Sequence, residues 1–392
     1  MSSRRSSDAD SSARDSTHDG ARANEKTDAP LDARLLERIR REGRMTFRDW
    51  MASALYDERG GYYRRPDLER WGRAGDYRTS PERGPLFAST FARYFKTIHE
   101  ELGSPNTFAL IECGGGAGRF ARGVLDTLRR DAPELHDSLR YVFDETSADS
   151  RARAEALLAT HSGRVEFRSI LDLTRDASAF VVFSNELLDA LPVHRVRMRE
   201  GYLRELYVVE DARGGFAWEE GEPSTPRLAE HFERFSMTLA EGQFAEVNLE
   251  AEDWIALAAS LAGRGFVVTV DYGDEARALV NARHRREGTL RAFSEHRFVE
   301  DLLANPGSQD LTATVNWTQV IAAGEKAGLE TIALERLDAF LLKACLLEQL
   351  ERESALARDE AERSSLRLGA REMILPDGMA ASFQVLVQKK SR

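Results

Sequence analysis

The sequence is poor in cysteine, has no long apolar run and lacks an excess of positive charge. Its 392 residues include two cysteines, Cys113 and Cys345, which lie far apart and show no CxxC or Cys/His spacing. We therefore expect neither a disulfide framework nor a bound metal, and a reduced, cytoplasmic compartment fits this cysteine usage. No uncharged stretch approaches the ~18 apolar residues that a membrane-spanning helix needs, so no membrane span is expected.

The charge balance is acidic. The net charge is -11, from 55 Lys and Arg against 66 Asp and Glu. Such a chain is not expected to bind nucleic acid or an anionic membrane nonspecifically, and the short basic run at 283–286 is typical of a solvated loop. The hydrophobic fraction of 42% is enough for a sizeable core, and the length suits one large domain with insertions or two smaller domains.

Residues 1–30 are rich in Ser, Asp, Arg and Ala, with no aromatic residue and almost no large apolar one. This composition predicts a disordered tail, because so few apolar side chains cannot offset the entropy cost of ordering. A mitochondrial targeting peptide is the alternative that the Arg and Ser content allows. Such peptides are poor in acids, and six acids argue against one here: Asp8, Asp10, Asp15, Asp19, Glu25 and Asp28.

The apolar pattern divides the chain. Helical spacing dominates residues 31–103, and from 104 onward short apolar runs alternate with helical stretches. The predicted strands are Phe108–Cys113, Tyr141–Phe143, Val165–Phe167, Phe180–Phe183, Phe266–Val270, Glu330–Leu334 and Ser382–Gln388. The predicted helices between and after them are Phe120–Arg130, Ser150–Ala159, Glu186–Ala190 and Leu346–Leu366. Strands separated by helices predict a parallel α/β sheet with right-handed crossovers. We expect this domain to span residues 104–392. The stretch at about 201–253 interrupts the alternation and is predicted to be a cap insertion.

A glycine-rich segment, Glu-Cys-Gly-Gly-Gly-Ala-Gly at 112–118, lies directly between a predicted strand and a predicted helix. Glycines there let the backbone turn sharply and approach a ligand closely. The nicotinamide fingerprint GxGxxG/A fails, because Arg119 stands where its third small residue is required. The spacing of Glu112, Gly114, Gly116 and Gly118 instead resembles the ExGxGxG of class I methyltransferases that use S-adenosylmethionine (SAM).

Two acids, Asp144 and Glu145, follow the second strand. Nucleotide-type ligands are commonly held there by a carboxylate that accepts hydrogen bonds from the ribose hydroxyls, and we favour Glu145 for this role. The alternative is an acidic helix start before Ser147, since acids are also preferred in the first turn of a helix.

The fourth strand is followed by Asn185, Glu186 and Asp189. Ligands of open α/β sheets bind beyond the carboxyl ends of the strands, so these three side chains are the candidate catalytic residues, and Asn185 is also a candidate cofactor contact. A guanidinium acceptor keeps its proton up to a pKa above ~12, so its methylation calls for carboxylates that orient and deprotonate it. An N-cap Asn followed by acids that favour the helix dipole is the alternative.

Nine motifs in one order resemble the MidA-type methyltransferases, whose mitochondrial members are protein arginine methyltransferases linked to respiratory complex I assembly. The resemblance runs from about Met45 to Gln388. It rests on the stretches 56–63 (YDERGGYY), 75–82 (GDYRTSPE), the glycine loop from 112, 145–147 (ETS) with Arg151, 185–192 (NELLDALP), 271–273 (DYG), 288–293 (GTLRAF) with His296, 310–312 (DLT), and 375–379 (Leu-Pro, Gly-Met).

The resemblance implies a class I, Rossmann-like methyltransferase fold: a mostly parallel seven-stranded sheet whose last strand runs antiparallel, with helical residues 31–103 and the insertion forming a cap. It implies that Gly114, Gly116, Gly118 and Glu145 hold SAM, and that the 75–81 loop closes over it with Gly75, Asp76 and Thr79. The loop departs from the family pattern at Cys113 and Gly115, and Phe143-Asp144 is less apolar than usual. We expect these departures to loosen the turn without removing the site.

Together these features predict a SAM-dependent methyltransferase that acts on an arginine side chain of a protein substrate. Alternatives are a methyltransferase of a small molecule or RNA, which would differ in the cap, a nicotinamide oxidoreductase, which Arg119 disfavours, and a SAM-binding assembly factor without catalysis. A homodimer is compatible with the sequence.

Overall fold

The computed structural model describes residues 29–68, 84–173, 176–281, 285–294, 297–375 and 378–390. Several predictions fall outside these ranges: the tail as far as Asp28, the predicted closing loop with Gly75, Asp76 and Thr79, part of the basic run, and His296. Within them, no helix is long and apolar enough to span a bilayer.

Sixteen strands are described. In chain order they are β1 (Met45–Thr46), β2 (Phe108–Cys113), β3 (Leu139–Asp144), β4 (Val165–Phe167), β5 (Asp176–Asn185), β6 (His194–Arg199), β7 (Tyr202–Glu210), β8 (Phe216–Gly221), β9 (Phe244–Val247), β10 (Ala262–Asp274), β11 (Arg291–Ser294), β12 (Arg297–Val299), β13 (Asp310–Thr312), β14 (Val315–Asn316), β15 (Glu330–Arg336) and β16 (Phe383–Lys390).

The α-helices separate these strands over most of the described chain. They are Leu31–Glu42, Phe47–Tyr56, Pro85–Glu101, Arg119–Asp131, Pro133–Ser138, Ala148–Leu157, Arg227–Arg234, Leu249–Leu261, Ala276–Asn281, Trp317–Lys326, Leu337–Lys343, Leu346–Leu356 and Glu360–Ile374.

The central sheet has the strand order β15-β16-β10-β5-β2-β3-β4, with the short β14 also paired to β10. Strand β16 is antiparallel to both β10 and β15, whereas β10, β5, β2, β3 and β4 pair in parallel. The predicted fold class is confirmed: seven strands form the main path of the sheet, mostly parallel and with the C-terminal strand reversed, and β14 adds a short eighth strand. Strand β2 is buried along its whole length, as expected for a parallel strand covered on both faces.

Helices cover both faces of this sheet. On one face, helices Pro85–Glu101 and Arg119–Asp131 pack with the C-terminal helices around a large apolar cluster that includes Phe183 of β5. The ring of Phe120 stacks on that of Phe183 with centroids 4.5 Å apart, which fixes the start of its helix against β5. On the other face, helices Leu249–Leu261 and Trp317–Lys326 cover the opposite side chains of the same strands.

A second, antiparallel sheet of β1, β6, β7, β8 and β9 lies outside the central one. The predicted insertion 201–253 contains β7, β8 and β9 and the helix Arg227–Arg234. The N-terminal helices Leu31–Glu42 and Phe47–Tyr56 share a core with Val208 of β7 and with Leu311 of a third sheet, β12-β11-β13. This shared core brings the N-terminal segment and β13 to the same side of the molecule.

Two predicted helices differ from the structure. Residues 186–190 form turns rather than a helix. The predicted helix Leu346–Leu366 is two helices, because Ala357 takes an extended backbone and the Asp359 side chain accepts the Glu362 N–H to start a new helix.

Candidate active site

A cavity of about 710 Å³ opens beyond the carboxyl ends of β2, β3, β5 and β10. This is where open α/β sheets bind ligands, and the volume lies in the range of small-molecule and cofactor sites. Of the predicted site residues, those that line it are Glu112, Gly114, Gly116, Glu145, Asn185, Glu186 and Asp189. The structure therefore brings the residues after three different strands into one cavity.

The glycine loop adopts a backbone that other residues rarely take. Gly114 has φ +71° and Gly116 has φ +55°. The Gly114 N–H donates to the Asp144 carbonyl oxygen at 2.8 Å, which ties the loop to the end of β3. The turn thus presents bare backbone to the cavity, as a closely held cofactor requires.

The Glu145 side chain is fixed against this loop. Its carboxylate accepts the Gly116 N–H at 2.9 Å and the Ser147 N–H at 2.6 Å. Ser147 in turn caps the helix Ala148–Leu157 through the Ser150 N–H. Glu145 thus precedes a helix start, as the alternative interpretation supposed, and also lines the cavity as the ribose-binding interpretation requires.

The departures at Gly115 and Phe143 compensate each other. A Cβ placed on Gly115 would stand 2.4 Å from the Phe143 ring, far inside van der Waals contact. Phe143 is fully buried in the core beneath the loop. The glycine at 115 therefore makes room for the phenylalanine at 143, and the turn is closely packed rather than loosened.

Two of the predicted cofactor residues lie deeper than the rest. Gly118, at φ +80°, is the N-cap of the helix Arg119–Asp131, and a Cβ there would meet Ala154 at 2.9 Å; it is not among the cavity-lining residues. Glu112 is buried and accepts a hydrogen bond from the Tyr141 hydroxyl at 2.7 Å. Burial raises the pKa of Glu112 to about 8.

The segment after β5 forms a strained elbow. Glu186 has φ +53°, a left-handed conformation that costs roughly 1–3 kcal/mol for a non-glycine residue and clusters at functional sites. The Asp271 carboxylate accepts the N–H groups of Leu188 and Asp189 at 3.0 and 3.3 Å. Because Glu186 has a left-handed backbone, residues 186–190 do not continue as a right-handed helix, and their N–H groups bond to Asp271 instead. The helix that Asn185 was proposed to cap is therefore absent.

Carboxyl groups crowd this elbow. Asp271 is fully buried and Asp189 is 5% exposed. Burial raises the pKa of both, and the neighbouring charges reinforce the shift: Glu186 for Asp271, and Asp271, Glu186 and Asp310 for Asp189. Perturbed carboxyls in a cleft are candidates for proton transfer.

Several cavity residues were not predicted as site residues: Tyr56, Tyr63, Glu250, Trp254, Tyr272 and Asp310. Asp271 and Tyr272 follow a predicted strand, so the strand-end rule that found Asn185 would also have found them. Asp310 does not follow any of the predicted strands, and Tyr56 and Tyr63 come from the N-terminal segment. Among the described residues, no group of three or more His, Cys, Asp or Glu is arranged to hold a metal ion.

Two solved structures share the fold of this chain over almost its whole length. The crystal structure of a Burkholderia thailandensis protein bound to S-adenosyl-homocysteine has a TM-score of 0.80 and 26% identity, covering 97% of this chain and 95% of that one. A native crystal structure from the same organism matches with a TM-score of 0.79 and the same identity and coverage.

Curated relatives are similar at modest identity. "Protein arginine methyltransferase NDUFAF7 homolog, mitochondrial" of Drosophila melanogaster is 27% identical over 325 residues, or 76% of this chain and 70% of the relative. The Homo sapiens protein of that name is 24% identical over 331 residues, or 77% and 71%. Because these relatives are named mitochondrial proteins, the expected cytoplasmic location is wrong: cysteine usage reports a reducing compartment and does not separate the cytosol from the mitochondrial matrix.

A family described as "Putative S-adenosyl-L-methionine-dependent methyltransferase" matches residues 90–334. This range contains the glycine loop, Glu145, the elbow and Asp271. The cradle of left-handed glycines and the carboxylate at Glu145 fit the cofactor that the family uses. The resemblance drawn from the motifs is confirmed, and the chain belongs to this family of methyltransferases with S-adenosylmethionine as cofactor.

Proposed function

We propose that this protein transfers a methyl group from SAM to an arginine side chain of a protein substrate. The observation that carries the proposal is the elbow after β5, where Glu186 and Asp189 line the same cavity as the glycine loop. When bound, SAM supplies a methyl group already activated by its sulfonium. What remains for the protein is to hold the acceptor, exclude water and receive a proton.

The chemistry of arginine matches these residues. A guanidinium is a delocalised cation that does not lose its proton in water near neutral pH, so a positioned base must accept one as the nitrogen is alkylated. We assign Glu186 to orient the guanidinium and accept this proton, with Asp189 assisting. Asn185, whose side-chain amide donates to the Glu186 carboxylate at 3.1 Å, holds that carboxylate in place.

The cofactor contacts form the other part of the proposal. We assign Gly114, Gly116 and Glu145 to hold SAM, with Asn185 and Glu112 at its border and Gly118 acting through the helix start. Gly75, Asp76 and Thr79 stay predicted contacts of a closing loop. The names of the curated relatives, which are protein arginine methyltransferases, support the choice of arginine.

The test is a labelling experiment with tritiated SAM on lysate from a strain that lacks the protein. We expect added wild-type protein to label protein bands whose acid hydrolysate contains methylarginine. Glu186→Gln keeps the size of the side chain and should lower the single-turnover rate by about 10²-fold or more, the scale of a lost general base. Asp189→Asn should be milder, because Asp189 assists Glu186 and is not itself assigned to accept the proton.

Matched controls are the exposed carboxyls Glu230→Gln and Asp253→Asn, which should leave rate and SAM affinity unchanged. Methyl label in RNA or small molecules but not in protein would contradict the proposal. Retained SAM affinity without transfer to any cellular protein would instead indicate an assembly factor. A normal rate in Glu186→Gln would remove the catalytic assignment.

A further inference from the structure

A second carboxylate, Asp310 at the start of β13, lies beside the elbow. The Ala313 N–H donates to the Asp189 backbone oxygen at 2.9 Å, so the chain after Asp310 runs directly along the elbow. The Tyr63 hydroxyl donates to Asp310 Oδ1 at 2.6 Å. Asp310, Tyr63 and Asp189 all line the cavity, although they come from segments far apart in the sequence.

The Asp189 side chain is incompletely satisfied. Its Oδ1 atom is buried and has no hydrogen-bond partner among the described residues. A buried carboxylate oxygen without a donor is costly, so this atom calls for a donor from a ligand or water in the cavity.

The charge of the cavity points to a cationic ligand. Seven carboxyl side chains and three guanidinium groups are among its described lining residues. Arg48 pairs with Asp49 and with Glu250, which is one of the seven carboxyls, and Arg64 donates to the Thr146 carbonyl oxygen. Tyr56 and Tyr63 add a stacked aromatic wall with ring centroids 5.4 Å apart, which suits a delocalised cation.

We propose, resting on the arginine methyltransferase function above, that Asp310 and Asp189 together bind the acceptor guanidinium, with Tyr63 as the residue that positions Asp310. A guanidinium carries five N–H donors in a planar fork and can bond to two carboxylates at once. The ammonium of lysine has compact, tetrahedral donors and no such fork. The pair therefore determines selectivity for arginine over lysine.

A purely structural role for the Tyr63–Asp310 hydrogen bond would dock the N-terminal segment onto β13 and nothing more. In that case Asp310→Asn and Tyr63→Phe would lower the melting temperature and leave ligand selectivity unchanged. The two roles are therefore separated by measuring selectivity and melting temperature on the same variants.

The experiment uses the full chain saturated with S-adenosyl-homocysteine and two probes, N-acetyl-arginine amide and N-acetyl-lysine amide, titrated by calorimetry. We expect wild-type protein to bind the arginine probe at least ~10-fold more tightly than the lysine probe, the scale of one charge-assisted hydrogen bond pair. Asp310→Asn should remove most of this preference, and Tyr63→Phe should reduce it. Affinity for S-adenosyl-homocysteine should not change.

The controls are Asp253→Asn and Tyr202→Phe, which alter exposed side chains. Wild-type protein without a preference for the arginine probe, or Asp310→Asn with the wild-type preference, would overturn the inference. If wild type and Asp310→Asn label arginine in lysate equally, the inference about Asp310 is overturned, but the proposed arginine methyltransferase function is not. A preserved probe preference without lysate labelling would instead defeat the proposed function.

Discussion

The two halves of the cavity are built in different ways. The proposed cofactor half consists of the glycine loop and Glu145, which follow the successive strands β2 and β3. They meet through the hydrogen bond from the Gly116 N–H to the Glu145 carboxylate. The proposed acceptor half gathers Tyr63, Asp189 and Asp310 from three separate segments, and the buried Asp271 holds the backbone of the elbow behind it. The first half is therefore a local βαβ feature, whereas the second exists only once the N-terminal segment and β13 have packed against the central sheet.

The electrostatics of the halves differ as well. The Glu145 carboxylate accepts hydrogen bonds from two backbone N–H groups, those of Gly116 and Ser147. In the acceptor half, Asp189 and Asp271 are buried near one another and near Glu186, so the pKa of each is raised. This difference is the one expected if one half binds the neutral ribose of the cofactor and the other half binds a cationic acceptor, as proposed above.

The largest expected effect is a loss of SAM affinity when the glycine loop of the cofactor half is altered. Gly116→Val places a β-branched side chain at φ +55° and disturbs the N–H that bonds to Glu145, so SAM binding should fall by at least ~100-fold while the fold largely survives. Calorimetry with SAM checks it. The control Gly163→Val lies on the surface with open space around its Cβ and should bind normally; equal affinities in both variants would refute the loop assignment.

A smaller effect is expected from Glu145→Ala. The loss of this carboxylate removes a hydrogen-bond acceptor for the ribose and releases the Gly116 N–H, which should weaken SAM binding by roughly 1–3 kcal/mol. Glu155→Ala, an exposed residue on the next helix that pairs with Arg151, is the control. If Glu145→Ala binds SAM as tightly as wild type does, Glu145 does not hold the ribose.

The smallest expected effect is on how the melting temperature of the cofactor-free protein depends on pH, through the carboxyl group of Glu112. Glu112 has a pKa of about 8 in the folded protein, raised by burial, so the folded state holds its proton where the unfolded state has lost it. Stability from this proton is complete below the unfolded value near ~4.5 and is lost as pH rises through about 8.

Glu112→Gln keeps an acceptor for the Tyr141 hydroxyl and removes this titration, so its melting temperature should fall less than that of wild type between about pH 5 and pH 9. The exposed Glu134→Gln should follow wild type. The decline that remains in Glu112→Gln is expected to come largely from Asp189 and Asp271 in the acceptor half. Parallel curves for wild type and Glu112→Gln would show that Glu112 does not hold a proton.

Much of the fold followed from the order of apolar runs. The strands of the parallel sheet were predicted within a few residues, because strands buried on both faces are continuous apolar segments between turn residues. The elbow was predicted as a helix and is not one. Its acids and leucines favour a helix locally, but Glu186 has a left-handed backbone. Asp271, 82 residues from Asp189 in sequence, accepts the N–H groups of the resulting turn.

By itself, the sequence determined the α/β sheet, the glycine loop with Glu145 and the SAM cofactor, because these depend on spacing within short segments. Gly115 and Phe143 each departed from the family pattern, and only the folded chain shows that one side chain fills the space left by the other. Tertiary structure alone decided that Tyr63 and Asp310 border the elbow, since long-range packing of the N-terminal helices with β13 brings them there. No periodicity or local motif encodes a contact between side chains 247 residues apart, so the acceptor half becomes visible only after the chain has folded.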